Sequence, residues 1–369
     1  MTSLFFITGF FSTAQGITVL DSIVSGGVYR KFRIYIPPIY SGTIAAPLVM
    51  DLHGFTSNAV QQQFYSNFKP IADTAGFITI YPEGTVSFGG PFWNAGITNI
   101  PNDVQFVNDL MTYCQFAYNI DDKRIFSCGM SNGGIMSYYL ACNAPNRIAA
   151  IASVTGTMFN NWFGCAPSRA IPVMEIHGTG DDTVPYAGDS NFAPIDSIVK
   201  KWVKHNNCNP VPLIIPVPDI NASDNSFSIN YRYTGGRNGS SVELYKVFGG
   251  SHSWPGAFPV FANTNQDFSA SVEIWRFFRQ YKLNQFIDNV GLAESQKNGQ
   301  VKIYPNPAST KIYLQPLEGA SYLVFDLSGK QLTNELFLET LDISEFQTGI
   351  YFLHLKKNNV LSVLKFIKE

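Results

Sequence analysis

Residues 129–134 read GMSNGG, a serine among small residues where the run KRIFSC gives way to IMSYYLAC. A serine hydroxyl is a weak nucleophile alone. It needs a base, a group that orients the base, and donors for the oxyanion that its attack creates. G-x-S-x-G between a strand and a helix is the sharp turn that exposes such a hydroxyl at a sheet end, so the pattern predicts Ser131 as a nucleophile for acyl transfer. The amide of Asn132, at the start of the following helix, is placed to face the developing negative charge. Five histidines compete for the role of base. His354 lies far downstream, and His205 shares a helical segment with Lys201 and Lys204, which reads as a solvated face. His53 and His177 each close an apolar run before a glycine and read as turn histidines. His252, in GGSHSWPG, follows the last strand-like run and precedes the last helix, where the chain order Ser…Asp…His places the base. HGTGDDTVPY, between the two, supplies Asp181 and Asp182, and the acid is whichever turns inward to the imidazole Nδ1–H. A second oxyanion donor is expected after an earlier strand, and LVMDLHGFTSN offers the N–H of Phe55 or Thr56.

These residues must be positioned by the elements between them. Residues 17–36 alternate and break at a Gly-Gly pair, which predicts a hairpin. Thereafter strand-like and helical runs alternate: APLVMDLHG, QQQFYSNFKPIADTAG, FITIYPEG, DVQFVNDLMTYCQFAYNI, KRIFSCGM and SNGGIMSYYLAC. IAAIASVTG, IPVMEIHG, a helix around PIDSIVKKWVKH, SVELYKVFGG and SASVEIWRFFRQYKL continue the pattern. The alternation predicts an α/β domain with a mostly parallel sheet covered on both faces, and reactive groups gather at the carboxyl ends of its strands. GMSNGG falls at such an end. The reading divides the chain into residues 16–283, a linker over 284–299, and short strands with turn residues over 300–369 that form a small β-sandwich.

Taken together, HGFTSN, FWNAG, DDKRIFSCGMSNGG, HGTGDDTVPY and GGSHSWPG resemble the secreted esterases that include polyhydroxybutyrate depolymerases and feruloyl or acetyl-xylan esterases, over most of residues 20–282. The resemblance implies an α/β-hydrolase fold, with Ser131 as nucleophile, Asp181 as acid and His252 as base. It places Trp93, Tyr186 and Trp254 along an acyl or polymer cleft, and it requires no cofactor and no metal. A cysteine that would pair with Cys208 is expected near Val242 and is missing. Residues 300–369, with YPNPAS, YLVFDLSGK, LDIS, GIYFLHL and LKFIK, resemble a type IX secretion sorting domain, which implies the secretion machinery as a partner. A polymer-binding module would present aromatic platforms, yet all five tryptophans precede residue 284.

Composition narrows the partners. Charged residues are 14% of the 369 positions, against about 25% in ordinary soluble domains, and the net charge is −2. No basic cluster marks a nucleic-acid surface. Residues 1–15 carry a short apolar run ending in small residues, which reads as a secretory signal peptide without its positive start and is too short to span a bilayer. Export permits disulfides. Of the five cysteines, Cys142 and Cys165 form the preferred pair, Cys128 reads as a core residue, and none has zinc-site spacing. The expected activity is that of a secreted, monomeric serine ester hydrolase acting on feruloyl or acetyl esters of plant polysaccharide, with a polyhydroxyalkanoate as the alternative polymer. The rivals are a peptidase of similar fold and a non-catalytic binding protein on the same scaffold, which a lost triad member would betray.

Overall fold

In the computed structural model the described residues are 15–98, 101–258, 260, 263–283, 303–314, 321–326, 331–333, 340–357 and 360–369. The signal-like segment, apart from residue 15, and the linker over 284–299 lie outside them. The chain divides into two compact units, residues 1–285 and 286–369.

The first unit opens with the predicted hairpin, β1 (Ile17–Ser25) and β2 (Val28–Ile36), turned through Gly26 and Gly27. Both glycines have positive φ, 57° and 80°, as a two-residue turn compatible with strand twist demands. β3 (Ala46–Leu52) follows, every residue buried, as befits a strand covered on both faces. One helix was expected over residues 61–76, but the structure has two, α1 (Ala59–Ser66) and α2 (Lys69–Ala75). Asn67 takes a left-handed conformation at φ 45°, and Pro70 sits in the first turn of α2, where its missing N–H costs nothing. Next come β4 (Ile78–Pro82), the unanticipated short hairpin β5 (Thr85–Ser87) and β6 (Gly90–Phe92), and α3 (Asp103–Ala117). β7 (Ile120–Met130), α4 (Asn132–Asn143), β8 (Ala150–Val154), β9 (Val173–Gly178) and α5 (Ile195–Asn206) continue the alternation. Then β10 (Leu213–Pro216) and β11 (Phe227–Tyr233), also unanticipated, lead to β12 (Val242–Phe248) and α6 (Ala270–Phe278).

The strands form one ten-stranded sheet in the order β1-β2-β4-β3-β7-β8-β9-β12-β11-β10. Its six central strands, β4 to β12, run parallel, and antiparallel additions close each side. Helices α3, α4 and α5 bury their apolar stripes on one face, around Phe106, Leu110, Met136 and Trp202. Helices α1, α2 and α6 cover the other, around Phe68, Phe126, Phe277 and Phe278. Alternate residues of one strand divide between the faces: Met50 and Leu52 serve the first cluster, Val49 the second. Cys142 and Cys165 are disulfide-bonded, tying the end of α4 to the loop before β9, and Cys114, Cys128 and Cys208 are buried and free.

The second unit carries β13 (Ile303–Tyr304), β14 (Lys311–Leu314) and β16 (Thr340–Asp342) in one sheet, and β15 (Ser321–Asp326), β17 (Gly349–Lys357) and β18 (Val360–Lys368) in another. Both sheets contribute to one apolar core that includes Ile312, Leu314, Val324, Leu353 and Phe366. No helix among the described residues is long and apolar enough to cross a membrane.

Candidate active site

Ser131 stands between β7 and α4 with φ 54° and ψ −118°, a conformation most side chains avoid. Its N–H donates to the carbonyl of Val154 at 2.8 Å, which pins the turn to the end of β8. The glycines around it are required by close approach. A Cβ on Gly133 would lie 2.0 Å from the Leu52 carbonyl oxygen, and one on Gly129 would lie 2.4 Å from the same atom. The start of α4 can therefore press against the end of β3 only with hydrogens at these positions, and Ser131 is left half-buried at the rim.

Asp181 follows β9, and His252 follows β12, its neighbour in the sheet. Glycines again let the two loops meet: a Cβ on Gly178 would fall 2.1 Å from the Gly250 carbonyl oxygen, and the Gly180 N–H donates to that oxygen at 2.9 Å. The imidazole Nδ1 of His252 lies 2.8 Å from Asp181 Oδ2. Asp181 Oδ1 accepts the amides of Thr183 at 3.0 Å and Val184 at 2.9 Å. Asp182 is exposed, so of the two adjacent aspartates Asp181 faces the imidazole. Burial would raise the Asp181 carboxyl, but hydrogen bonds from His177 and His252 outweigh it and hold the group well below the usual carboxylate range.

The two loop amides considered beside β3 differ in occupancy. Thr56 donates its N–H to the Pro91 carbonyl at 2.8 Å, so the β5–β6 hairpin consumes that donor. Among the described residues the N–H groups of Phe55 and Asn132 meet no acceptor, and a Cβ on the preceding Gly54 would lie 3.5 Å from Ser131 Cβ, so the Phe55 loop passes beside the serine. The Asn132 side chain is engaged elsewhere. Its Oδ1 accepts the Trp93 N–H at 2.6 Å, and its Nδ2 donates to the Trp93 carbonyl at 3.0 Å.

Two of the three aromatic residues expected along a cleft sit differently. Trp93 is fully buried, donates its indole N–H to the His53 carbonyl at 3.0 Å and stacks on Phe106, so it braces the turn after β3 from beneath. Trp254 is 2% exposed and bonds Ser271, although one side of it walls a cavity of about 510 Å³ shared with Phe64, Tyr65 and Phe258. Buried apolar neighbours account for both, since each ring removes a large apolar area from water. Tyr186 is half-buried, with its hydroxyl on Asp196 at 2.5 Å and Lys246 Nζ 4.4 Å from its ring centre. Among the other histidines, His53 is buried and donates Nδ1–H to the Gly54 carbonyl while Nε2 accepts the Gly84 amide; burial lowers it to about 4. His205, read as a solvated residue, is half-buried with Nε2 on the Arg169 carbonyl and its ring edge-on to Trp202. The helix presents that edge to the loop before β9 and not to water.

One neighbour was missed. His177 is wholly buried, with Nε2 3.3 Å from Asp181 Oδ2 and Nδ1 3.0 Å from Oε1 of the equally buried Glu175. A glutamate in the middle of the apolar run IPVMEIHG was the available signal, because a strand residue of that kind needs a buried partner two positions away.

Residues 94–209 match the phospholipase/carboxylesterase family, and residues 302–369 match the secretion system C-terminal sorting domain. The chain superposes on the acetyl xylan esterase of Aspergillus awamori with a TM-score of 0.52, at 15% identity, covering 71% of this chain and 99% of that one. The fold is α/β-hydrolase-like. The chain is 29% identical over 192 residues to a bifunctional acetylxylan esterase/xylanase of Neocallimastix patriciarum, covering 52% of this chain and 26% of that protein. It is 27% identical over 284 residues to feruloyl esterase D of Neurospora crassa, covering 72% of this chain and 87% of the relative. The chain spans about a quarter to about half of the length of three of the curated relatives it matches. The match over 302–369 implies type IX secretion, and hence an extracellular or cell-surface location.

Proposed function

We propose that the chain is a secreted serine carboxylic ester hydrolase acting on feruloyl or acetyl esters of plant polysaccharide. The observation that carries this reading is the 2.8 Å contact of His252 Nδ1 with Asp181, at the same sheet edge that holds Ser131 on its strained turn. In the proposed reaction Ser131 Oγ attacks the ester carbonyl carbon while His252 Nε2 takes the hydroxyl proton. Asp181 accepts Nδ1–H, which fixes the tautomer that leaves Nε2 free and favours the imidazolium that forms. The amides of Phe55 and Asn132 donate to the oxyanion. Collapse expels the alcohol, which takes the proton from His252, and leaves an acyl group on Ser131. Water then gives a proton to His252 and its oxygen to the acyl carbon, and Ser131 recovers its hydrogen as the acid departs.

The feruloyl and acetylxylan esterases among the relatives support the polysaccharide reading. Ser131→Ala is expected to lower kcat on p-nitrophenyl acetate by roughly 10⁶-fold, and activity that survives the substitution in purified protein contradicts the assignment. Feruloylated arabinoxylan, acetylated xylan and polyhydroxybutyrate film, incubated side by side, separate the substrates by the acid released. Hydroxybutyrate as the main product would replace polysaccharide with polyester.

A further inference from the structure

Beneath Asp181 lies a chain of buried polar groups that the proposed reaction does not use. Glu175 and His177 are two positions apart on β9, so both side chains project from one face of the sheet. Each is 0% exposed. His177 Nε2 lies 2.9 Å from the Val184 carbonyl oxygen and 3.3 Å from Asp181 Oδ2. Neither oxygen carries a proton to give, so Nε2 carries one. Nδ1 faces Glu175 Oε1 at 3.0 Å, while Glu175 Oε2 accepts the hydroxyl of Tyr138 on α4 at 2.8 Å. Burial alone raises the Glu175 carboxyl, so without exposure to water Glu175 keeps its charge only beside a cation, and His177 is the group in reach. We propose that Glu175 and His177 form a permanent buried ion pair that acts as a positioning pair for Asp181 and opposes a second positive charge at His252. The proposal rests on the reading of His252 as the base.

Two effects follow from the geometry. His177 and His252 share the oxygen Oδ2, so Asp181 is anchored from below and above and its negative charge is divided between two imidazoles. The positive end of the pair is also the end nearer His252, so it opposes a second positive charge there. Both effects act against a second positive charge on the His252 ring. The other polar groups facing the pair are Tyr138 from α4, Ser153 from β8, and Tyr186, Asp196 and Lys246 from the flanking loop, α5 and β12. Tyr186 meets His177 edge-on, and Lys246 and Asp196 lie close enough to offset one another. Burial opposes protonation of His177, but Asp181 and Glu175 outweigh it and raise the ring to about 9.

Glu175→Gln tests the idea with little change of shape, because the amide nitrogen can donate to Nδ1 while a neutral His177 keeps Nε2–H. The acid limb of the kcat/KM profile on p-nitrophenyl acetate is expected to move upward by about one pH unit. A purely structural role would lower activity at every pH without moving the limb. A rise of less than about half a unit, or a downward move, overturns the proposal. The second measurement uses the intact wild-type chain with ¹⁵N-labelled histidine. Both ring nitrogens of His177 are expected to be protonated at neutral pH, and a single neutral tautomer overturns the pair even if the variant fails to fold. A doubly protonated ring in a protein without esterase activity would leave the ion pair standing and remove the proposed function.

Discussion

Ser131 holds a backbone conformation, φ 54°, that most residues with a Cβ adopt only under constraint. The surrounding structure enforces it through the Val154 carbonyl and the packing of Gly129 and Gly133 against β3. Ser131→Gly is therefore expected to abolish hydrolysis yet raise unfolding free energy by about 1 kcal/mol, whereas Ser131→Ala, which keeps a Cβ, gains little. Urea denaturation of the two variants checks this. A less stable glycine variant would mean that the turn is not strained. The serine, the histidine and the aspartate pair were legible because each sits beside glycines at an element end, and such punctuation survives in one dimension. The choice of Asp181 over Asp182 came only from the family resemblance, because adjacent residues differ only in which way the loop turns them. Trp93 and Trp254 show the converse: a tryptophan near a motif signals proximity, not direction, and both rings face inward.

At the scale of elements, the sheet edge is assembled by close contacts between loops. Gly178→Ala places a methyl group where the Gly250 carbonyl stands, so the His252 loop must retreat. A displacement of about 1 Å there is expected to cost about 10²-fold in kcat, more than its effect on folding alone would cause. Measuring kcat beside the melting temperature separates the two, and a variant of unchanged kcat would show that the loop is not held by this contact. Within β3, Asp51 is wholly buried, bonded to Gln62 at 2.6 Å, and raised by burial to about 8. A carboxyl raised in the fold above its unfolded value of about 3.9 stabilises fully below that value, and its contribution fades as pH climbs through about 8. Wild-type protein is thus expected to weaken between about pH 4 and 8, and Asp51→Asn to weaken less; urea midpoints at both ends decide. The central strands and most helices were readable from apolar runs and periodicity. The β5–β6 hairpin and the β10–β11 extension were not, because β5, β6 and β10 are only three or four residues long and β11 buries the polar Ser228 and Asn230 where an apolar alternation would have marked it. The break between α1 and α2 was written in Asn67 and Pro70, yet apolar spacing across it mimics one helix.

On the scale of the molecule, every residue of the proposed site belongs to the first unit, and the sorting-domain match lies wholly in the second. Removing residues 286–369 is expected to leave kcat/KM within about twofold of the full chain, since separate cores carry separate functions. A larger loss would make the second unit part of the enzyme. The disulfide Cys142–Cys165 spans 23 positions, and loop-closure entropy assigns it roughly 3 kcal/mol, lost when a reductant is added during urea denaturation. The remaining thiols have a different use. Cys128 lies in a central strand, Cys114 on a covering helix and Cys208 beyond the end of another, and burial pushes all three up, so none is a ready nucleophile. An alkylating reagent reaches each of them only when the surrounding layer opens. The protein thereby carries three recorders set at different depths, and the order in which they are marked reads out how the fold comes apart from rim to centre.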